Sequence, residues 1–562
     1  MLATVIRCVV SALAVMLLTV SACASGPTSS GSDKPAPLFN DLGDHQHSIT
    51  TASMDAQRYF NQGLTLGFAF NHAEAERSFR YAAMLDPQCA MCWWGVAFVL
   101  GPNLNATMDS AAAAAAWEAV QKAQALATKV TPREQAYIAA VAQRYAKQRY
   151  AKQRYAKQGY AKEPTANRAP LDMAFANAMR DVARQYPDDL DASALFAEAL
   201  MDLMPWNYYD KGGKPLRTEA TEIVTTLESV LRRNPEHPWA IHLYIHATEA
   251  SDNPARAESY ADTLASLVPG AGHLVHMPAH TYMRIGRYHD AVLANERATA
   301  ADNSYISQCH AQGTYAVGYV PHNHDFLYAA ASMAGNSAEA MKGAAASAAM
   351  TVLNPNSDNY RQHFAAQPLF ASVRFGRWQE ILDTKAPQEG LDYYAGAWHY
   401  ARGRAFVGTG NLDSAETELA ALKKIAGKDE AKQGANANNV LNVAEEVLAG
   451  EIEARLGHTA EAVAHLEKGV ELEDAMPYRE PADWLYPVRH SLGAVLLAAG
   501  QAPKAEAVYR EDLRHNPENG WALYGLMQAL DTQRKKAESA EVKKRFDKAW
   551  AHADIALTAS RI

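Results

Sequence analysis

Two His-x-x-x-His pairs, His242/His246 and His276/His280, stand 34 residues apart in a chain that repeats every 34 residues. Spacing of four puts both imidazoles of a pair on one helical face. An offset of one full repeat puts the second pair on the equivalent face of the next unit. Four imidazoles should therefore meet on one surface. Packed together, they would repel one another if protonated and would be costly to bury without partners. A divalent transition metal removes both difficulties, because neutral imidazole is its commonest nitrogen ligand.

The elements that must position these residues are legible as helical hairpins. Tyr59, Gly63, Ala75, Phe79, Ala82 and Pro87 occupy the large, small, small, aromatic, small and proline places of a tetratricopeptide repeat (TPR). Small residues let the two helices approach, and the proline ends the second helix before the next unit begins. Gly493, Ala505, Tyr509 and Pro517 repeat that spacing, as do Gly450, Gly457 and Ala462, and Gly403, Gly410 and Ala415. Ala257 and Pro269 are followed by Gly286 and Ala291, with Ala257 to Ala291 again 34. The expected fold is all-α, a TPR-like α-solenoid of antiparallel helix hairpins with loop insertions.

In such arrays the first helix of each hairpin lines the concave groove. Counted from Pro269 and Gly286, one unit presents Trp239, His242, His246 and Glu249 there, and the next presents His273, His276, His280 and Met283. A unit starting near Pro321 adds His322 and Asp325. The metal-ligand candidates are thus His242, His246, His273, His276, His280 and His322, with Trp239 and Met283 as groove residues. Glu249 and Asp325 are the carboxylates placed to complete a ligand shell, orient a histidine, or serve as a catalytic base. A mixed His/carboxylate set suits Zn, Fe, Mn or Cu(II), and the residues do not choose among them. A lone helical histidine is more often a packing residue than a ligand. Two pairs in register outweigh that bland reading, which otherwise leaves a polar groove recognising a peptide or acidic ligand. Leu243 and Met277 follow the first histidine of each pair, so the glutamate of a zincin helix is absent.

Departures from the period mark insertions: a break at 101–105, repetitive Tyr-Ala-Lys-Gln-Arg units over 145–160, a loop at 205–215 and a further insertion at 305–320. Insertions in solenoids gather on one face and often cover a binding site. Cys89 and Cys92 read as packing cysteines or a local disulfide, and Cys309 as a buried thiol. His45 and His47 precede the first helix, either free or folded onto the groove. Tyr478, Arg479, Glu480, Trp484 and His490 form a further polar-aromatic segment suited to interrepeat packing or to an anionic or peptide ligand.

Over nearly all of its mature length the chain also resembles a family of bacterial exported TPR proteins. The resemblance rests on Phe70-Asn71-His72-Ala73-Glu74-Ala75, Asp86-Pro87-Gln88-Cys89-Ala90-Met91-Cys92-Trp93-Trp94-Gly95, Gly272-His273-Leu274-Val275-His276-Met277-Pro278-Ala279-His280, Pro321-His322-Asn323-His324-Asp325-Phe326-Leu327 and Asn519-Gly520-Trp521-Ala522-Leu523-Tyr524-Gly525. It implies the fold and supplies no catalytic residues.

At 562 residues the chain is too long for one ordinary core unless it is an elongated array. A net charge of −9 argues against nucleic-acid binding, which needs a basic stripe. Residues 1–22 read as a signal peptide, and Val20-Ser21-Ala22-Cys23 as a lipobox with Cys23 as the lipidated residue. Residues 23–52 then form a flexible tether, 53–390 an N-terminal TPR-like array with the His-rich groove, and 391–562 a C-terminal array. The expected location is the bacterial cell envelope, with the lipid in the outer membrane facing the periplasm. Three functions follow: a scaffold for a peptide or protein partner that carries a metal site, a metal-dependent hydrolase or oxygenase, or metal storage and delivery.

Overall fold

The computed structural model describes residues 36–109, 112–145, 168–309, 313–427 and 435–562, with side chains from 439 onward in the last segment. The signal peptide, Cys23 and most of the 145–160 repeats lie outside the described residues. What is described is all-α and TPR-like, and its extended pairing is limited to the isolated bridges Asn103–Ala106 and Tyr209–Pro215. No described helix is long and apolar enough to cross a membrane.

Close approach between hairpin helices is what the small residues secure. Phe79 is buried against Gly63 of its own hairpin and Gly95 of the next; an added Cβ would lie 2.9 Å and 2.4 Å from its ring. Tyr509 sits in the same way between Gly493 and Gly525, where a Cβ would lie 2.3 Å and 2.2 Å from Cζ. One aromatic wedged between two glycines 32 residues apart is the packing unit at both ends of the array.

Residues 36–52 are not a tether. The Tyr59 hydroxyl and the Gln62 amide donate to the carbonyls of Ala36 and Pro37, and the Gly270 N–H donates to Asp41 O at 2.7 Å. The Thr50 N–H donates to Glu134 at 2.6 Å, so this stretch is an ordered strap across several hairpins. Segments rich in small polar residues read as flexible, yet here backbone groups at 36, 37, 39, 41, 47, 49 and 50 all find fixed partners. The boundary expected at 390 likewise falls inside one compact unit, Ala36–Ile562. The insertion expected at 305–320 is largely helical: Tyr288–Gln308 runs into its start, and a π-turn, Tyr315–Tyr319, leads into Val320–Ala334.

Nor is the array an open trough. Trp521 donates its indole N–H to Ser332 O at 3.0 Å, the Tyr328 and Tyr486 hydroxyls meet, and Gly335 lies against Trp550. C-terminal hairpins therefore pack onto the middle of the chain.

A candidate metal centre

The helix Pro238–Thr248 begins with Pro238 at its first position and with His237 Nδ1 accepting from the Ala240 N–H, which fixes its start. Its His242 and His246 rings stand 5.0 Å apart. The corresponding helix of the next hairpin is broken in two, Gly272–His276 and Pro278–Ile285, because Pro278 lacks an N–H to continue the ladder. His276 and His280 nonetheless share a face across the break, with ring centroids 4.7 Å apart. His273 precedes them, and His322 arrives from Val320–Ala334.

These six histidines form two adjoining triads. His242, His246 and His273 bring one nitrogen each within 4.8 Å of the others, and so do His276, His280 and His322. His246 and His280 link the triads, with rings 5.2 Å apart. All but His322, which is partly buried, are fully enclosed.

The hydrogen bonds decide which nitrogens face inward. His242 Nδ1 donates to Phe68 O at 2.7 Å, and His276 Nδ1 donates to Asn295 Oδ1 at 2.7 Å. Asn295 presents its oxygen there because its amide donates to Ala291 O. His246 Nδ1 and His280 Nδ1 donate to the two oxygens of Glu249, at 2.9 Å and 2.8 Å. With Nδ1 held outward in all four, Nε2 is the inward atom. His273 Nε2 lies 3.2 Å from His242 Nε2, and His276 Nε2 lies 2.8 Å from His280 Nε2. Two imidazoles on one tetrahedral ion at about 2.0–2.1 Å would hold their nitrogens about 3.3 Å apart. The buried His246 Nε2 and His273 Nδ1 have no hydrogen-bond partner.

Charge divides the triads. Burial drives His242 and His273 well below the ordinary histidine range, reinforced by neighbouring imidazoles, and lowers His246 despite its bond to Glu249. The first triad is therefore neutral. In the second, burial pulls His276 well down and His322 to about 3. His280 goes the other way: burial opposes its charge, but Glu249 and Glu480, each within 2.8 Å of Nδ1, lift it to about 10. Burial also works to raise Glu249, yet His280 and the converging hydrogen bonds hold it well below the carboxylate range. Glu480 is pushed well above that range, by burial first and by Glu249 second. In the metal-free molecule, then, a proton on His280 Nε2 points at the His276 Nε2 lone pair and holds the place of an ion.

Insertions and distant segments close the site. Trp206 of the 205–215 loop sets its ring edge on His246, and Tyr319 does so on His273. The Tyr315 hydroxyl accepts from the His273 N–H and donates to Asp302, whose other oxygen takes Asn323. Gly272 makes room for that arrangement, since a Cβ there would fall 1.9 Å from Asp302 Oδ1. Tyr478, more than two hundred residues along the chain, donates to Glu249 at 2.8 Å. Sequence reasoning missed Asn295, Asp302, Tyr315 and the roles of Tyr478 and Glu480; only the Tyr478–Pro481 cluster itself signalled its segment.

Three candidates belong elsewhere. Asp325 accepts from Gln367 at 2.6 Å and is raised well above the carboxylate range by burial and by Asp483; it joins neither triad. Trp239 stacks on Phe68 at 4.2 Å and is a core residue, not a groove residue. Met283 packs against Tyr288, Met333 and Ala334. The corrections share a cause. Three residues along a helix leave about 60° between side chains, enough to send His322 back to the preceding hairpin and Asp325 on to the following one.

His45, His47 and His237 gather instead on Asp191, at 3.0, 2.6 and 3.0 Å. His237 Nδ1 is occupied as a helix cap, which leaves its Nε2 to face Asp191 Oδ1 at ion-pair distance. This cluster is a clasp on the strap. Cys89 and Cys92 form a buried disulfide, and Cys309 is a buried thiol.

Comparison with known proteins adds little beyond the fold. No family model and no curated protein matches the chain. Among solved structures, the human IFIT1 dimer with m7Gppp-AAAA is similar over 89% of this chain and 91% of that one, at 12% identity and a TM-score of 0.32. The human IFIT1 dimer with PPP-AAAA is similar over 87% and 95%, at 13% identity and a TM-score of 0.28. The P58(IPK) TPR domain is similar over 86% and 99%, at 12% identity and a TM-score of 0.21.

Proposed function

We propose that this chain is a cell-envelope TPR-like lipoprotein, anchored through Cys23, that serves as a scaffold for a peptide or protein partner and holds transition metal in its histidine centre. One observation carries the metal reading. In four histidines from two hairpins Nδ1 is tied outward to a fixed acceptor, which turns Nε2 inward; His242 Nε2 lies 3.2 Å from His273 Nε2, close to the spacing of ligands on one ion, and His276 Nε2 lies 2.8 Å from His280 Nε2. Such outer bonds fix the tautomer and aim the ring, as they do around metal ligands generally. Because the histidines are enclosed, the partner docks on the outer repeat surface, and the centre accepts only ions and small molecules.

A second reading, a metal-dependent hydrolase or oxygenase, is favoured by the ligand count. Structural zinc sites close the ion with four protein ligands, whereas three ligands leave a position for water or substrate. Each triad offers three. Metal storage or delivery would need ligands that release readily, and the anchored rings weigh against it.

The test is elemental analysis of the purified full chain beside a His242→Ala/His276→Ala variant whose helicity is checked by circular dichroism. Stoichiometric transition metal in the wild type, lost in the variant, supports the reading. A wild-type chain that takes up no transition metal even on reconstitution overturns it.

A further inference from the structure

The metal that suits this centre follows from what its ligands lack. We propose that the two triads take copper, as an adjacent pair of copper(I) ions; the inference rests on the metal reading above and narrows it to an element, a valence and a number.

The inward donors are all imidazole nitrogens. Both oxygens of Glu249, the carboxylate at the junction, are already engaged by His246, His280 and Tyr478. Asp325 is turned away onto Gln367. Manganese favours carboxylate and water oxygens, and the usual non-haem iron(II) site needs one carboxylate with two histidines, so this donor set suits neither. Zinc and copper remain, both at home with imidazole.

Coordination number and burial separate those two. Zinc is four-coordinate, held by four protein ligands in structural sites and by three with a water in catalytic ones, so in these enclosed triads each zinc would need a buried water as its fourth ligand. Copper(I) has no such demand and is satisfied by three nitrogens. Two divalent ions would bring four positive charges into a dry site, and two monovalent ions bring two. Because the penalty for burying charge is steep, the smaller sum is favoured. The acidic groups touching the imidazoles are Glu249 and Glu480, and burial beside Glu249 favours the neutral form of Glu480, so little negative charge is at hand and the smaller sum is the one it can offset. The triads are also near enough to interact, since His246 and His280 stand ring to ring at 5.2 Å and His273 and His276 at 5.8 Å.

The experiment loads the metal-free full chain with copper(I) anaerobically, using bicinchoninate as competing chelator, and repeats it with His273→Ala and His322→Ala. Two copper ions per wild-type chain and one per single variant are expected, with zinc at about a hundred-fold excess failing to displace them. Oxidation with ferricyanide should then give a wild-type electron paramagnetic resonance signal far below two spins, because adjacent copper(II) ions couple. Each single variant should give one full spin per copper. One copper per wild-type chain, two uncoupled spins, or ready displacement by zinc would overturn the proposal. If zinc fills both triads and copper(I) fills neither, the copper inference fails while the metal reading stands; if no metal binds, both fail.

Discussion

The two triads should bind metal with different dependence on pH, and the difference can be sized from the structure. A metal entering the second triad must displace the proton from His280 Nε2, since Nδ1–H stays on Glu249. That imidazole titrates at about 10 in the metal-free molecule. Each pH unit is worth about 1.4 kcal/mol, so at neutral pH the displacement costs about 4 kcal/mol, roughly a thousand-fold in apparent affinity. Below pH 10 affinity should rise about ten-fold per unit as the competing proton is removed. The first triad has no such proton: His242, His246 and His273 are all held below the ordinary histidine range. Its affinity should be flat above pH 7. His273→Ala isolates the second triad and His322→Ala isolates the first. Chelator competition at pH 6.5, 7.5 and 8.5 on each variant reads the slopes, and calorimetry in buffers of differing ionisation enthalpy counts the proton directly. Equal slopes, or a second triad whose affinity ignores pH, would show that His280 carries no displaceable proton.

Two further outcomes test the scaffold around the centre. Glu249→Ala should destabilise the metal-free protein by about 3–5 kcal/mol, because it leaves charged His280 buried without its nearest carboxylate and strips the acceptor from His246 and Tyr478. Urea unfolding near pH 6, where His280 is charged in both folded and unfolded chains, measures this, and a loss under about 1 kcal/mol would contradict it. Gly493→Ala should cost about 1–3 kcal/mol, since the new methyl would sit 2.3 Å from Tyr509 Cζ; thermal unfolding checks it, and Tyr509→Leu in the same chain should recover part of the loss by freeing that space.

What the sequence made legible is what the repeat makes local. Gly63 with Phe79 and Gly493 with Tyr509 are contacts inside one hairpin, and the 34-residue offset of the histidine pairs concerns adjacent hairpins, so nearest-neighbour stacking is enough to infer both. Trp239, Met283 and Asp325 misled because groove positions were treated as one face, although three residues of helix turn a side chain toward a different neighbour. The strap at 36–52 and the Asp191 clasp were hidden for another reason: their bonds join residues at irregular separations, the longest of them His47 with Asp191 and Asp41 with Gly270, and carry no period.

The closure of the centre belongs to the same class, and it bears on function. Phe68 from the first described hairpin, and Tyr478 and Glu480 from near the other end, meet on imidazoles that lie between them in sequence. Solenoid curvature accumulates by small rotations per hairpin, so a centre that needs groups from both ends exists only once the whole coil has formed. The triads alone require two adjacent hairpins and the His322 helix; the tautomers and charge that ready them for metal require the rest. A truncated chain ending before Tyr478 would retain all six histidines but lose Glu480, which with Glu249 sets the charge on His280, and the phenol that holds Glu249. Coupling an ion site to these distant contacts makes metal affinity a report on the packing of the hairpins from Phe68 to Glu480.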